Sequence, residues 1–226
     1  MTYYSQIEYL NGANFSVYYP DGIEEAVINA IKSGRIWEKK LLNHYKNMIK
    51  SGDTVLDIGT YLGTHTLAFS QLVGDMGVVH SFEPQTEIFE LLKKTITENE
   101  ITNVKLYNTA VYNENGEIEF SNTNNGKASI SHIRPRLHKP KIQKVSTITI
   151  DRLKLNKCDF VKLDVEKCEW HVLDGAEETI LKFKPIIFLE TFKTPANRVK
   201  LTQWCTKMDY NFTNVGGADF ILKANY

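Results

Sequence analysis

Val55-Leu-Asp-Ile-Gly-Thr-Tyr-Leu-Gly-Thr-His-Thr66 runs from a short apolar strand through a turn holding two glycines and opens onto a helical pattern. Glycine lacks the Cβ that keeps a ligand away from the backbone, so Gly59 and Gly63 predict a cradle. Thr64 is placed to cap the following helix, whose first amides favour a carboxylate or phosphate. The phosphate-loop pattern GxxxxGK[ST] and the pyrophosphate pattern GxGxxG are both absent from the turn. Alone, such a turn does not name its ligand.

The next strand narrows the choice. Gly77 to Glu83 ends in Phe82-Glu83-Pro84, which sets an acid about 20 residues after the glycine turn, where doubly wound folds bond a ribose. Further apolar runs cover Val104 to Ala110, Asp159 to Asp164 and Pro185 to Glu190. Helical spacing fills Thr64 to Val73, Thr86 to Asn99 and Glu169 to Leu181. Strand alternating with helix predicts an α/β fold, a Rossmann-like doubly wound and mostly parallel sheet.

Upstream, Gln6 to Tyr9 and Phe15 to Tyr19 flank Asn11-Gly12 and read as a β-hairpin, a lid or cap before the main domain. Ile23 to Ile49 reads as two helices broken at Ser33-Gly34. Residues 1–50 are thus expected as a cap and 51–226 as the core of one domain. Glu117 to Phe120 and Lys144 to Ile150 look like extra strands flanking a polar stretch, Ser121 to Lys141, expected as a loop over the site. Tyr210 to Asn214 and Asp219 to Lys223 predict a C-terminal β-hairpin around Val215-Gly216-Gly217-Ala218.

Lys plus Arg and Asp plus Glu both number 27 in 226 residues, so no global field draws the chain onto nucleic acid or an anionic membrane. The three cysteines form no CxxC pair, which argues against zinc and suits a reducing compartment. The N-terminus lacks a secretory pattern, and no apolar run approaches the ~20 residues of a spanning helix. The expected setting is cytoplasmic, with no membrane span and no nucleic-acid partner.

The fourth core strand ends in Lys162-Leu-Asp-Val-Glu166. Ligands of open α/β sheets sit at strand carboxyl ends, so Asp164 and Glu166 are expected to face the crevice with Gly59 and Glu83. Candidate general bases are Asp164, Glu166, Glu190 at the end of the fifth strand, and His132 in the long loop, whose imidazole titrates near neutrality. Glu169 reads as an acid complementing a helix N-terminus, and His65 and His171 read as structural. No spacing is metal-specific, and no metal is assigned. The basic stretch Arg134 to Lys141, with Lys144, is either a solvated loop or an attractor for an acidic acceptor.

Four segments between Gly52 and Glu190 resemble, in order, the motifs of the FkbM methyltransferases. DIGTYLGTHT stands for the family's DxGAxxGxxT, SFEP for FEP, NTAVYNENG for AVxxxxG, and KLDVEKCEWHVLDGA for K(I/L)DVEGxExxVLxGA. Lys167 replaces the glycine after DVE, which bears on the turn after the fourth strand. Thr60-Tyr61 replaces Ala-Asn, and the Tyr61 ring could face a sulfonium in the methionine pocket.

The resemblance implies a class I methyltransferase domain using S-adenosyl-L-methionine. Asp57, Gly59 and Gly63 would cradle its methionine part, Glu83 would hold the ribose hydroxyls with Pro84 and Gln85 nearby, Ala110 and Val111 would border the adenine, and Asp164 would face the transferred methyl. It also implies O-methylation of a sugar, glycan or other small-molecule hydroxyl. Competing readings are an NAD(P)-dependent oxidoreductase, disfavoured by the missing GxGxxG; a nucleic-acid methyltransferase, disfavoured by Asp-Val-Glu-Lys where a Pro-Pro-aromatic turn would stand; and a non-catalytic cofactor-binding module.

Overall fold

Every residue of β3 (Thr54–Ile58) is buried, as a strand flanked on both edges and covered on both faces must be. In the computed structural model, which describes residues 2–22, 25–122, 128–130, 141–191 and 194–225, β3 lies at the centre of a seven-stranded sheet. It pairs in parallel with β4 (Val78–Phe82) on one side and β10 (Phe160–Leu163) on the other. Beyond β4 comes β5 (Val104–Tyr107), and beyond β10 comes β11 (Ile186–Glu190), both parallel. A C-terminal antiparallel hairpin, β12 (Tyr210–Gly216) and β13 (Asp219–Ala224), extends the sheet from β11 and completes the order β12-β13-β11-β10-β3-β4-β5.

Side-chain alternation divides the core into two layers. Val55, Val79, Phe160 and Phe188 point to one face, where they pack with α1 (Ala26–Lys32), α2 (Lys39–Met48), α3 (Thr64–Val73) and α4 (Thr86–Glu98). Leu56, Ile58, Val161, Leu163 and Leu189 point to the other and pack with α5 (Glu169–Asp174), α6 (Glu177–Phe183) and α7 (Pro195–Met208). The expected doubly wound α/β sheet is present.

Several boundaries differ from expectation for physical reasons. The predicted third strand stops at Tyr107, and Ala110–Val111 forms β6 in a separate four-stranded sheet, ordered β6-β9-β7-β8, with β7 (Gly116–Asn122), β8 (Ala128–Ile130) and β9 (Lys141–Ile148). The stretch expected as one loop therefore contains a short strand, while residues 123–127 and 131–140 lie outside the described residues. The helix expected over Glu169 to Leu181 is broken at Gly175, where a Cβ would stand 2.2 Å from the Tyr112 carbonyl oxygen. Helix α7 was not anticipated, although Thr194 caps it by accepting from the Asn197 N–H and Pro195 opens it.

The N-terminal hairpin, β1 (Thr2–Glu8) and β2 (Asn14–Pro20), forms as expected but is not a lid. It docks on α4, where the Tyr18 N–H donates to Thr95 Oγ1 and the Ser16 N–H to Asn99 Oδ1.

Candidate active site

A cavity of about 660 Å³ opens over the carboxyl ends of β3, β4, β10 and β11. That volume suits a cofactor with part of an acceptor. Gly59, Tyr61, Thr64, Glu83, Pro84, Gln85, Ala110, Val111, Asp164, Glu166 and Glu190 all line it, so one wall gathers most residues expected from the sequence. His132 lies outside the described residues, as does the Arg134 to Pro140 stretch. The hairpin does not reach the cavity; Glu25, Trp37 and Glu38, from the helical segment after it, do.

The glycine turn works differently from the expected open cradle. Gly59 has φ +83° and an added Cβ would stand 1.7 Å from the Asp164 carbonyl oxygen, so the neighbouring strand end by itself requires glycine here. Gly63, φ +81°, is itself the N-cap of α3, packs against Leu92 at 2.5 Å from an added Cβ, and is not on the cavity wall. Thr64 begins the helix and its side chain makes no cap bond. Asp57 also lies behind the wall, fully buried, with Thr66 Oγ1 donating to Oδ2 at 2.5 Å. It supports the turn from below.

Glu83 is 3% exposed, and its two carboxylate oxygens accept from the backbone N–H groups of Gln85 at 2.8 Å and Tyr61 at 2.9 Å. Burial pushes its carboxyl up to about 7, against the pull of those hydrogen bonds. The Gln85 side chain donates to the carboxylate as well, which leaves acceptor capacity for a ribose hydroxyl. This buried acceptor pair, with Ala110 and Val111 beyond it, fits the adenosine of S-adenosylmethionine. Tyr61 sits at φ +53°, a region the family's asparagine tolerates readily, and its phenol donates to Glu25 Oε2 at 3.0 Å.

The turn after β10 preserves a glycine-like shape without glycine. Glu166 has φ +46° and Lys167 has φ +83°, and the Lys167 N–H donates to Glu169 Oε1 at 2.8 Å. Glu169 is accordingly buried and holds the turn, as expected of an acid at a helix start.

Among the lining residues not assigned from the sequence, Lys162, Glu38, Glu25 and His65 bear on the chemistry. Lys162, 4% exposed, donates from Nζ to Asp164 Oδ2 at 3.2 Å. A lysine inside an otherwise apolar buried strand was the available signal. Glu38 and Glu25 carried none, because only the tertiary fold brings them to the cavity. His65, expected as structural, is on the wall with Nε2 3.5 Å from Glu38 Oε2. Burial first, then the charge of Lys162, holds its imidazole well below the usual range and therefore neutral. Glu38 is pushed up to about 7, and Glu190 to about 8, in both cases chiefly by burial. Among the described residues no three His, Cys, Asp or Glu side chains converge to hold a metal, and no helix is long and apolar enough to cross a membrane.

A doubly wound sheet with a glycine turn, and with a buried strand-end acid and Asp164 lining one cavity, fits a Rossmann-like domain for a nucleoside cofactor. Residues 57–215 match the methyltransferase FkbM domain, and the chain belongs to that family of S-adenosylmethionine-dependent methyltransferases. An FkbM methyltransferase from Methylobacillus flagellatus superposes with a TM-score of 0.58 at 12% identity, covering 80% of this chain and 50% of that one. An S-adenosylmethionine-dependent O-methyltransferase from Thermotoga maritima gives a TM-score of 0.54 at 15% identity over 98% of this chain and 78% of that one. A protein-L-isoaspartate O-methyltransferase from Methanococcus maripaludis is 38% identical over 58 residues, 26% of this chain and 27% of the relative. The chain thus spans half of the Methylobacillus protein, and its match to the archaeal one covers about a quarter of it.

Proposed function

We propose that this domain transfers the methyl group of S-adenosylmethionine to a hydroxyl oxygen of a sugar, glycan or other small-molecule acceptor. The observation that carries the reading is the polarity of the cavity. Glu83, Ala110 and Val111 suit a nucleoside at one end, and Asp164, Glu190 and Glu38 supply proton acceptors at the other.

Held by Glu83, Ala110 and Val111, S-adenosylmethionine would supply a methyl group activated by its sulfonium for transfer to the acceptor oxygen. The chain has to orient that oxygen and take its proton. Glu190 suits the second task, since burial and then the charge of Asp164 push its carboxyl up to about 8, near the working pH. Asp164 and Glu166 border the methyl-bearing end, and Tyr61 closes it from the turn. Positioning contributes on the order of 7–11 kcal/mol in favourable cases, and a general base typically ~10²–10⁴-fold.

The O-methyltransferase relative from Methanococcus maripaludis supports an oxygen acceptor. Equal numbers of acidic and basic side chains support a small acceptor over a nucleic acid. The three buried, unbridged cysteines support a cytoplasmic setting. Incubating the protein with methyl-labelled cofactor and a panel of neutral sugars, sugar phosphates, phenols and RNA tests the reading. Label on a sugar or small-molecule oxygen supports it, whereas label on RNA alone, or on none of the panel, refutes it.

A further inference from the structure

The alternation along β10 puts a lysine where the fold has no need of one. Phe160 and Lys162 share the face on which Val55, Phe69, Tyr45 and Phe188 form the apolar layer, and Lys162 lies opposite Asp57 of β3 and Phe188 of β11 in the register. An ammonium in that position is costly unless paired, and an apolar side chain would complete the layer without that cost.

The charges around it show what the lysine serves. Asp57 faces it from β3, Asp164 from the end of its own strand and Glu190 from β11, and all three hold its charge in place against the cost of burial. Glu38 at the N-cap of α2 and neutral His65 of α3 also feel its charge. Tyr45 of α2 lies beyond them, and Asp219, opposite Glu190 in the register, repels both Glu38 and Glu190. One ammonium therefore serves four carboxyl groups, Asp57, Asp164, Glu190 and Glu38, and its hydrogen bond goes to Asp164, on the cavity wall, rather than to the deeper Asp57.

We propose that Lys162 is a positioning residue for methyl transfer: it fixes the Asp164 carboxylate at the cavity wall and supplies the positive charge against which Glu190 takes and releases the acceptor's proton. The inference rests on the reading of Glu190 as proton acceptor. Without Lys162, Asp164, Glu38 and Asp219 would act on Glu190 unopposed and keep it protonated well above neutral pH.

The experiment follows the Glu190 carboxyl by infrared difference titration of the protein saturated with S-adenosylhomocysteine, its band assigned by loss in Glu190→Gln. The wild-type midpoint is expected near 8. Lys162→Met should raise it by roughly one unit or more while leaving S-adenosylhomocysteine bound, and Lys162→Arg should restore it. With an acceptor from the panel above, Lys162→Met should lower kcat on the order of 10²-fold with little change in KM for the cofactor. Should Lys162→Met fail to fold, the reciprocal coupling is read in Glu190→Gln, where the Lys162 ammonium, followed by nitrogen NMR, must titrate lower than in the wild type. An unmoved Glu190 midpoint, or an unmoved Lys162 midpoint in the reciprocal test, overturns the inference. Failure of the wild type to bind S-adenosylhomocysteine overturns the methyltransferase reading itself.

Discussion

The Tyr61 phenol and the Glu25 carboxylate meet at 3.0 Å, joining the glycine turn of β3 to the segment that precedes α1. Tyr61 also places its backbone N–H on Glu83, so one residue links the buried strand-end acid to the cavity's N-terminal wall. Tyr61→Phe removes the outer link and leaves the inner one. A hydrogen bond to a charged group contributes about 1.5–3 kcal/mol, so the variant should melt roughly 3–10 °C lower. Limited proteolysis should also cut faster near Glu25. An unchanged melt and cleavage pattern would show that the bond carries no load in solution.

Lys167 occupies the left-handed region at φ +83°, next to Glu166 at φ +46°. A side chain in that region costs about 1–2 kcal/mol that glycine avoids. Lys167→Gly keeps the N–H that bonds Glu169 and is expected to raise the melting midpoint by roughly 2–8 °C. A lower midpoint would mean that the lysine side chain makes contacts outweighing the backbone strain.

The central sheet was legible because β3, β4, β10 and β11 are short apolar runs at βαβ spacing, and parallel burial leaves such runs in the sequence. Glu83 and Asp164 were legible for the same reason, as acids at the ends of those runs. Helix α7 was harder, since only Leu201, Trp204, Cys205 and Met208 of its residues are buried and a largely polar surface dilutes the period. Glu38 and Glu25 left no trace in local sequence, because their place depends on how the segment before α2 crosses the sheet edge. The glycines were found at the right positions, and the fold adds a reason the sequence did not show: an added Cβ would meet the Asp164 carbonyl at Gly59 and Leu92 at Gly63.

Glu83 makes a cofactor prediction with its own control. S-adenosylmethionine or S-adenosylhomocysteine at about 100 times its dissociation constant should stabilise the wild type by about 2.7 kcal/mol, a shift of roughly 5–10 °C, while NAD and NADP should give none. Glu83→Ala deletes the carboxylate proposed to hold the ribose and should weaken S-adenosylhomocysteine at least about tenfold by calorimetry. Unchanged affinity in that variant would remove Glu83 from the ribose site.

Stability against pH offers a reading that needs no ligand. Glu83, Glu38 and Glu190 are raised from an unfolded value of 4.5 to about 7, 7 and 8, chiefly by burial. Between pH 4.5 and 8 these three groups bind more protons in the folded protein than in the unfolded chain, and the stability they contribute falls as pH rises. His65 and His80, held down chiefly by burial, act in the opposite sense below the ordinary histidine value of 6.5. The contribution of the three acids opposes the usual carboxylate trend, in which a depressed folded value makes stability rise with pH. The melting midpoint should decline between pH 6.5 and 8, where little histidine titration remains in either state, and the slope should flatten in Glu190→Gln and again in Glu38→Gln/Glu190→Gln, because glutamine cannot titrate. The mutational flattening isolates the cavity acids from the surface carboxylates, which both variants retain. Slopes identical to the wild type would mean that Glu38 and Glu190 are solvated and ionised across this range, and that the acceptor end of the cavity holds no proton to exchange.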